Sequence, residues 1–252
     1  MDKLIIGLDE CGWGCIAGPL TAAACYIPED LSIIEQLQMM GFRDSKQMDR
    51  AEREELVDSL KHFPDVLCEV YHIPAHEWDE IGALAAWHKC LRMASKLLLN
   101  KLNFWEAGQI QLIVDGNREI VGLPGEWDQC AIPRADQSDL RCSVASVVAK
   151  VTRDRMMVDL ATRYPFYGFD TNVGYPTREH LAALMAAGPV FAPEYIHRKR
   201  SMQRKMVYTF LEKHWKKATP KWVTDPDNWL NLKKPASVQG VESRVIYVRP
   251  NS

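Results

Sequence analysis

Four acidic residues stand where predicted strands end or where a long helix is about to begin, and carboxylates so placed can bind metal ions. They are Asp9, Glu10, Asp115 and Asp136. Neighbouring strands bring their ends together, so these side chains are expected to converge. Ionised carboxylates in an apolar setting are costly, and a divalent cation offsets that cost. A single such acid more often caps a helix or faces solvent, but four together favour a metal site.

A set of oxygen ligands without His or Cys favours Mg²⁺ or Mn²⁺. Two such ions about 3.5 to 4 Å apart can hydrolyse a phosphodiester, one by activating water and one by stabilising the leaving oxygen. Successive side chains of a strand point to opposite faces, so Asp9 and Glu10 cannot both point straight into the site. We expect Asp9 to bridge the metals. Glu10 then reaches round from the strand end or binds through its backbone carbonyl.

The elements that position these acids are those of an α/β protein. Strands are predicted over residues 3–9, 19–27, 66–74, 109–115 and 129–133. Helices are predicted over residues 31–40, 49–62, 77–102, 138–164, 177–187 and 201–216. The first two strands form a hairpin and the later strands are separated by helices, which predicts a mixed central β-sheet flanked by helices. Small residues on the helix over 138–164 predict close packing against that sheet: Ser143, Ala145, Ser146 and Ala149.

Length and composition indicate one globular domain with a terminal extension. The chain has 252 residues, of which 47% are hydrophobic and 25% are charged. No segment approaches the roughly 18 apolar residues of a membrane span, and the first residues lack the pattern of a signal peptide, so we expect a soluble, cytoplasmic protein. The seven cysteines include no Cys-x-x-Cys pair. Reduced core thiols are therefore expected in place of disulfides or a zinc site.

The net charge of −2 conceals an uneven distribution of charge. Residues 191–252 contain 13 Lys and Arg against 5 Asp and Glu, which leaves an acidic body and a basic end. This arrangement suits a protein that grips a polyanion with one surface and holds cations with another. The alternative is an ordinary solvated face of charged side chains. Nothing in the sequence requires more than a monomer.

Ordered motifs give a more specific prediction. The segment GLDECGWGCIAGP over residues 7–19 closely resembles the opening motif of the ribonuclease HII family. Further similar blocks follow in the family's order: Asp44–Lys46, Val114–Gly116, Arg134–Asp136, Ala145–Arg155, Tyr164–Pro165, Tyr167–Phe169, Gly174–Tyr175 and Ile196–Arg198. The resemblance spans residues 4 to about 200, so we assign 1–200 to a catalytic domain and 201–252 to a basic, helical C-terminal extension and tail.

The resemblance implies an RNase H-like fold and an endonuclease. It implies cleavage of the RNA strand of RNA/DNA hybrids to 3′-hydroxyl and 5′-phosphate ends. The family's metal ligands fall on the same four acids. Two other functions stay open: a catalytically silent hybrid-binding protein, and an RNase H-like nuclease that acts on DNA or branched structures.

One departure from the family pattern concerns the predicted substrate loop. Trp13 stands between Gly12 and Gly14, where the family has Arg or Lys. The resemblance implies that this loop senses the ribose 2′-hydroxyl at an RNA–DNA junction. Trp13 either stacks on a sugar or base of the substrate or packs on a neighbouring loop. We expect hybrid cleavage to persist, with a weakened preference for a single ribonucleotide in DNA.

Other residues are expected to contact the substrate. Tyr175 is implied to stack on the deoxyribose beside the cut, with a packed core aromatic as the alternative. Arg134 replaces the usual Lys and keeps a positive charge near the metals. Five more residues are expected to contact phosphate or substrate: Lys46, Ser146, Lys150, His197 and Arg198.

Overall fold

The computed structural model describes residues 3–42, 48–103, 110–190 and 196–202. Within these residues five strands form one sheet: β1 (Leu4–Cys11), β2 (Leu20–Tyr26), β3 (Leu67–Ile73), β4 (Ile110–Asp115) and β5 (Asp128–Ile132). Their order is β3-β2-β1-β4-β5. The pairs β1–β2 and β2–β3 are antiparallel, whereas β1–β4 and β4–β5 are parallel. The predicted hairpin and mixed sheet are confirmed.

Helices cover both faces of this sheet. Those described are α1 (Leu31–Met39), α2 (Arg50–Ser59), α3 (Ala75–Ile81), α4 (Ala83–Leu102), α5 (Ala135–Ser138), α6 (Leu140–Arg163), α7 (Phe169–Asn172), α8 (Arg178–Ala187) and α9 (Lys199–Met202). On one face, Ile6 and Leu8 of β1 pack with Leu91 and Leu98 of α4. On the other face α6 packs on β1 and β2. The α/β fold predicted from the sequence is therefore the one observed.

The close approach of α6 to the sheet depends on small residues on both sides. Ala23 and Cys25 of β2 share a buried cluster with Ala145 and Ala149 of α6. On β1, a Cβ atom added to Gly7 would overlap the main-chain carbon of Arg141 at the start of α6. The small residues predicted to face the sheet are all buried, as expected.

Three predicted helices are wrong in their extent. The helix predicted over 77–102 is interrupted at Gly82, whose φ of 85° is unfavourable for other residues and separates α3 from α4. The helix predicted over 138–164 begins only at Leu140, because the Asp139 side chain caps it by accepting the backbone N–H groups of Arg141 and Cys142. The predicted helix over 49–62 ends as α2 at Ser59, followed by a 3₁₀ turn.

A third, smaller cluster lies beyond the sheet and supports the loop that follows β1. Ile16 and Ala17 of that loop pack with Met157 of α6, Phe169 of α7 and Leu184 of α8. A single residue pair, Ala17 with His197, forms an antiparallel bridge to the last described segment. The chain from residue 203 onward, which includes most of the predicted helix over 201–216, lies outside the described residues. No helix in the described part of the chain is long and apolar enough to cross a bilayer.

Candidate active site

Three of the predicted acids meet at the C-terminal ends of two central strands of the sheet, β1 and β4. Asp9 lies near the end of β1, Asp115 is the last residue of β4, and Asp136 lies in α5. One carboxylate oxygen from each lies within 4.8 Å of the others. The parallel pairing of β1 with β4 sets Leu8 opposite Val114, so Asp9 and Asp115 follow at the same level of the sheet.

A tight turn after β5 brings the third acid to the site. Arg134 adopts a left-handed conformation with a φ of 60°, and the chain then turns into α5. The backbone N–H of Asp136 points to Asp115 Oδ1 at 3.4 Å. Ser143 of α6 donates its hydroxyl to the carbonyl of Asp136 at 2.6 Å, which fixes this turn against the helix.

Burial makes this acidic cluster unfavourable without a counter-charge. Asp9 is only 6% exposed and Asp136 only 3%. Burial, followed by the negative charges of Glu10 and Asp115, raises the pKa of Asp9 well above its usual value. Two hydrogen bonds to the Asp9 carboxylate partly oppose this rise in pKa. One comes from the Ser146 side chain, and the other from the Glu10 backbone N–H, 2.7 Å from Asp9 Oδ1. The set of carboxylate oxygens fits a hard divalent cation, which would offset the repulsion.

Glu10 takes a different position from the other acids. In the part of the chain that the structure describes, the carboxylate oxygens within 4.8 Å of one another come from Asp9, Asp115 and Asp136, and the group does not include Glu10. Its side chain leaves β1 on the α4 face, where Glu10 Oε2 accepts a hydrogen bond from Trp87 Nε1 at 3.0 Å. The structure therefore brings Asp9, Asp115 and Asp136 together and places Glu10 beside them, as strand alternation requires.

A cleft of about 270 Å³ opens next to these acids. We call it the aromatic cleft; it is lined by Glu10, Asp115, Trp13, Trp87, Leu84 and the turn over residues 116–118. The lining thus includes two carboxylates, and in the turn it includes Asn117 and Arg118, both exposed. The cleft joins the acidic cluster at Asp115, which belongs to both.

Trp13 packs on a neighbouring element and also lines the cleft. Its ring meets Trp78 of α3 edge to face, with centroids 5.3 Å apart and an interplanar angle of 77°. The Arg198 guanidinium lies 4.3 Å from the centroid of Trp78. Of the two roles open for Trp13, packing is present in the fold, and its half-buried ring still has surface in the cleft.

Two buried arginines hold the loop that carries Trp13. Arg153 donates to the carbonyls of Pro19, Val173 and Ala17 at 2.9, 2.7 and 3.0 Å. Arg198 donates to the carbonyls of Gly18 and Gly12, both at 2.8 Å. Both side chains have no exposed surface. Arg198 therefore lies behind the loop, which differs from the direct substrate contact expected for it.

Arg153 had no site role in the predictions from sequence. One feature of the sequence does point to it: Arg153 stands in a mostly apolar stretch of the helix, two positions after Val151. A lysine or arginine is rarely buried unless it has hydrogen-bonding partners. Its partners lie at Pro19 and Ala17, more than 130 residues away in the chain, so the sequence alone does not reveal them.

The ring of Tyr175 lies beside the loop that contains Gly12, Trp13 and Gly14. The residue is 38% exposed, which argues against the alternative of a packed core aromatic. A Cβ atom on Gly14 would lie 3.5 Å from the Tyr175 ring. Lys150 Nζ lies 5.9 Å from the centroid of that ring and 2.7 Å from Asp154 Oδ1. Gly14, Tyr175 and Lys150 thus form a continuous rim.

His197, expected to contact the substrate, is instead fully buried behind Tyr175. Its Nδ1 accepts the Val190 N–H at 3.0 Å, and its Nε2 lies 3.2 Å from His180 Nε2. His180 Nδ1 lies 2.8 Å from the Tyr175 carbonyl oxygen. These partners fix the tautomers: His197 donates from Nε2, and His180 accepts there and donates from Nδ1 to Tyr175. The pair positions the backbone of Tyr175.

Burial keeps both imidazoles neutral. It lowers the pKa of His180 to about 4. Burial, and then the neighbouring His180, lowers the pKa of His197 well below its usual value. An added proton would have no acceptor in the chain of hydrogen bonds from Val190 to Tyr175, so both rings serve as neutral links.

The remaining predicted contacts fall in different settings. Ser146 is buried and hydrogen-bonds Asp9. Arg134 is exposed at the turn before Asp136. Lys46, with the rest of the Asp44–Lys46 motif, lies outside the described residues.

Comparison with known proteins agrees with this architecture. Residues 6–203 match the family model described as Ribonuclease HII. A ribonuclease HII of Shouchella clausii is 37% identical over 195 residues, which cover 77% of this chain and 67% of the relative. One from Fusobacterium nucleatum subsp. nucleatum is 36% identical over 211 residues, which cover 84% of this chain and 91% of the relative. The chain belongs to the ribonuclease HII family.

A solved structure supports the same assignment of fold. The crystal structure of ribonuclease H2 from Pyrococcus horikoshii OT3 has a TM-score of 0.61 and 25% sequence identity to this chain. The match covers 83% of this chain and 97% of that one. As a member of this family the chain is an endoribonuclease of the ribonuclease H type, and the RNase H-like fold predicted from its motifs is confirmed.

Proposed function

We propose that this member of the family cleaves the RNA strand of RNA/DNA hybrids and leaves 3′-hydroxyl and 5′-phosphate ends. The observation that carries the proposal is the meeting of Asp9, Asp115 and Asp136, with one oxygen from each within 4.8 Å. A site made only of carboxylates at the ends of parallel strands is suited to a hard metal ion and to phosphodiester hydrolysis.

Asp9, Asp115 and Asp136 would hold Mn²⁺ or Mg²⁺, two ions in the full site, with Glu10 as the fourth ligand. When bound, such ions supply an activated water and stabilise the leaving oxygen. The protein's own part is orientation. Ser146 and the Glu10 N–H hold Asp9, and the Trp87 indole holds Glu10 Oε2, which orients this carboxylate at the edge of the site.

The rim formed by Gly14, Tyr175 and Lys150, together with the adjoining loop residues Gly12 and Trp13, is the proposed binding surface for the RNA–DNA junction. Gly12 has a φ of 94°, and a Cβ atom there would overlap the Arg153 side chain, so only glycine fits. The loop carbonyls are held by Arg153 and Arg198, which pre-orders the loop before substrate binds. Tyr175 offers its exposed ring to a sugar, while Lys150 and Arg134 supply positive charge for phosphates.

The junction preference of this enzyme is proposed to be altered. Trp13 cannot supply the cation that the family's basic residue brings to a phosphate. Its contact with Trp78 also uses part of the ring for packing. We therefore expect incision at a single ribonucleotide to be weak relative to cleavage of a continuous hybrid. The basic extension over residues 201–252 is proposed to add affinity for the duplex backbone without sequence preference.

A panel of substrates tests the proposed function. The purified full chain is incubated with Mn²⁺ or Mg²⁺ and a continuous RNA/DNA hybrid, a DNA duplex with one ribonucleotide, a DNA duplex or an RNA duplex. Cleavage of the hybrid that Asp9→Asn abolishes is the expected result. Binding of the hybrid with no cleavage in either metal would instead identify a silent hybrid-binding protein, and preferred cleavage of DNA would identify a different nuclease.

A further inference from the structure

The aromatic cleft offers a second contact surface beside the metal site. Resting on the proposed function, we infer that it is a subsite for the sugar–phosphate backbone next to the scissile phosphate, with Arg118 as the phosphate-binding residue. Arg118 belongs to neither the acidic cluster nor the rim around Tyr175, so its contact with substrate would be separate from theirs.

The lining of the cleft combines a carboxylate of the metal site with a guanidinium. Asp115 belongs to the acidic cluster, where the scissile phosphate is proposed to lie, and also lines the cleft. Arg118, three residues further along the same turn, lines the cleft as well and is exposed. A strand that places one phosphate at the metals can therefore place a neighbouring phosphate at the guanidinium, which binds phosphate through a planar fork of donors.

A second arginine lies near Arg118. Arg92 and Arg118 both lie close enough to His88 to contribute, after burial, to a lowered pKa of that imidazole. The Arg92 side chain is used within the fold, because it donates to the Val121 carbonyl at 2.9 Å. Two guanidiniums therefore lie near His88, and Arg118 is the one that lines the cleft.

The turn that carries Arg118 is open to an approaching backbone. Gly116 has a φ of 117°, and a Cβ atom added there would meet no protein atom within 4 Å. Its N–H is bound to the Ile132 carbonyl at 3.0 Å, so the turn is fixed to the end of β5. The position requires glycine for its conformation, and the space in front of it belongs to the cleft.

The apolar part of the lining suits a sugar. Trp13 and Leu84 provide apolar surface, and Leu84 is 46% exposed. A base within a duplex shows only its edges, because its faces are stacked on the neighbouring bases. The backbone of a duplex presents sugars and phosphates, and this is what shape-reading proteins contact. The cleft is therefore assigned to a sugar flanked by its phosphate.

The first test measures binding of a labelled RNA/DNA hybrid. All proteins carry Asp136→Asn to prevent cleavage, and fluorescence anisotropy is recorded in Mg²⁺ over a range of salt concentrations. Arg118→Ala is expected to raise Kd on the order of tenfold and to lower the magnitude of the salt slope by about one. Arg50→Ala is the matched control, since Arg50 is an exposed arginine of α2, which packs on the opposite side of the sheet from α4.

The second test locates the phosphate. Hybrids with a single neutral methylphosphonate at successive positions of the RNA strand are bound to the Asp136→Asn protein and to the same protein carrying Arg118→Ala as well. At one position adjoining the cleavage site, the neutral linkage is expected to abolish the difference in Kd between the two proteins. A second variant, Leu84→Asp, places a carboxylate on the exposed wall and is expected to raise Kd at least as much.

The outcomes separate this inference from the proposed function. If the unmodified enzyme cleaves the hybrid but Arg118→Ala behaves like Arg50→Ala, the subsite is refuted and the nuclease stands. A uniform effect of Arg118→Ala at every methylphosphonate position would likewise refute a defined phosphate contact. Failure of the unmodified enzyme to cleave or bind the hybrid would remove both.

Discussion

Asp9 and Glu10 are adjacent in sequence, yet their carboxylates leave β1 on opposite faces of the sheet. Asp9 meets Asp115 and Asp136, whereas Glu10 Oε2 lies 3.0 Å from Trp87 Nε1. The alternation of a strand thus distributes two acids between two helices, with Ser146 of α6 bonded to one and Trp87 of α4 bonded to the other. The metal site is built from both layers of the fold.

Replacement of Asp9 should lower the cleavage activity and raise the thermal stability of the metal-free protein. Asp9→Asn is expected to lower hybrid cleavage by more than about 100-fold. Loss of a residue that only hydrogen-bonds a metal ligand typically costs about 10- to 100-fold, and Asp9 is proposed to bind the metal itself. In the absence of metal the same variant is expected to melt at a higher temperature, because it removes one charge from a buried, repelling cluster. Cleavage rates and thermal melting in EDTA measure both effects, with Asp65→Asn at an exposed turn as control. A lower melting temperature for Asp9→Asn would contradict the repulsion inferred within the cluster.

The indole N–H of Trp87 should matter for metal binding. Trp87→Phe keeps an aromatic ring in the core but removes the donor to Glu10 Oε2. We expect metal affinity to fall about tenfold, measured by calorimetric titration with Mn²⁺ and by the metal dependence of cleavage. Trp127→Phe, a half-buried tryptophan packed on the same core, is the control and should not change metal affinity. Equal affinities for the two variants would show that the hydrogen bond does not orient Glu10.

The His180–His197 pair predicts a loss of stability in mild acid. Its imidazoles have folded pKa values below that of an unfolded histidine, with His180 at about 4. As the pH falls below about 6.5, the unfolded chain takes up protons that the folded protein does not, so the free energy of unfolding decreases. Each histidine contributes at most about 1.4 kcal/mol per pH unit, down to its folded pKa.

Denaturant unfolding between pH 7 and 5 measures this dependence. The double variant His180→Asn/His197→Asn should be less stable at pH 7, because it disturbs the links to Tyr175, yet its stability should change less over this range. His62→Asn, at an exposed position after α2, serves as control and should keep the full pH dependence. An equally steep dependence in the double variant would rule out the buried pair as its source.

A basic residue at position 13 should restore junction preference. Trp13→Arg is expected to increase the ratio of incision at a single ribonucleotide to cleavage of a continuous hybrid severalfold, because a guanidinium can bind the phosphate that an indole cannot. Trp13→Phe is the matched comparison, since it keeps an aromatic ring without charge. The ratio is measured with both substrates under the same metal and salt. If Trp13→Arg and Trp13→Phe give the same ratio, charge at this position does not set the preference.

Local patterns predicted most of the sheet and the meeting of the acids. Short apolar runs ending in Asp9 and Asp115 identify buried strands, and the parallel order then follows from the intervening helices. The pattern does not predict the break at Gly82, because an isolated glycine in a helical pattern is often tolerated. Glu10's partner was also missed, since nothing in the sequence indicates that Trp87 lies against the end of β1.

The roles of His197 and Arg198 could not be read from their neighbours. Arg198 binds the Gly12 carbonyl, 186 residues away in the chain, and His197 pairs with His180 in a buried pocket. A basic motif near a predicted phosphate site looks the same in sequence whether it touches the substrate or supports the loop that does. Burial decides between these roles, and burial depends on how α3, α6 and the last described segment pack around the loop.

The position of Gly7 in β1 leaves no room for a larger residue. Even one methyl group at its Cα would act as a wedge between β1 and the main chain of α6 at Arg141. The same helix carries Ser143 and Ser146, which anchor Asp136 and Asp9. A shift of this helix would therefore move Asp136 away from Asp9 without removing either carboxylate, so a residue that has no functional group sets the spacing on which the chemistry depends.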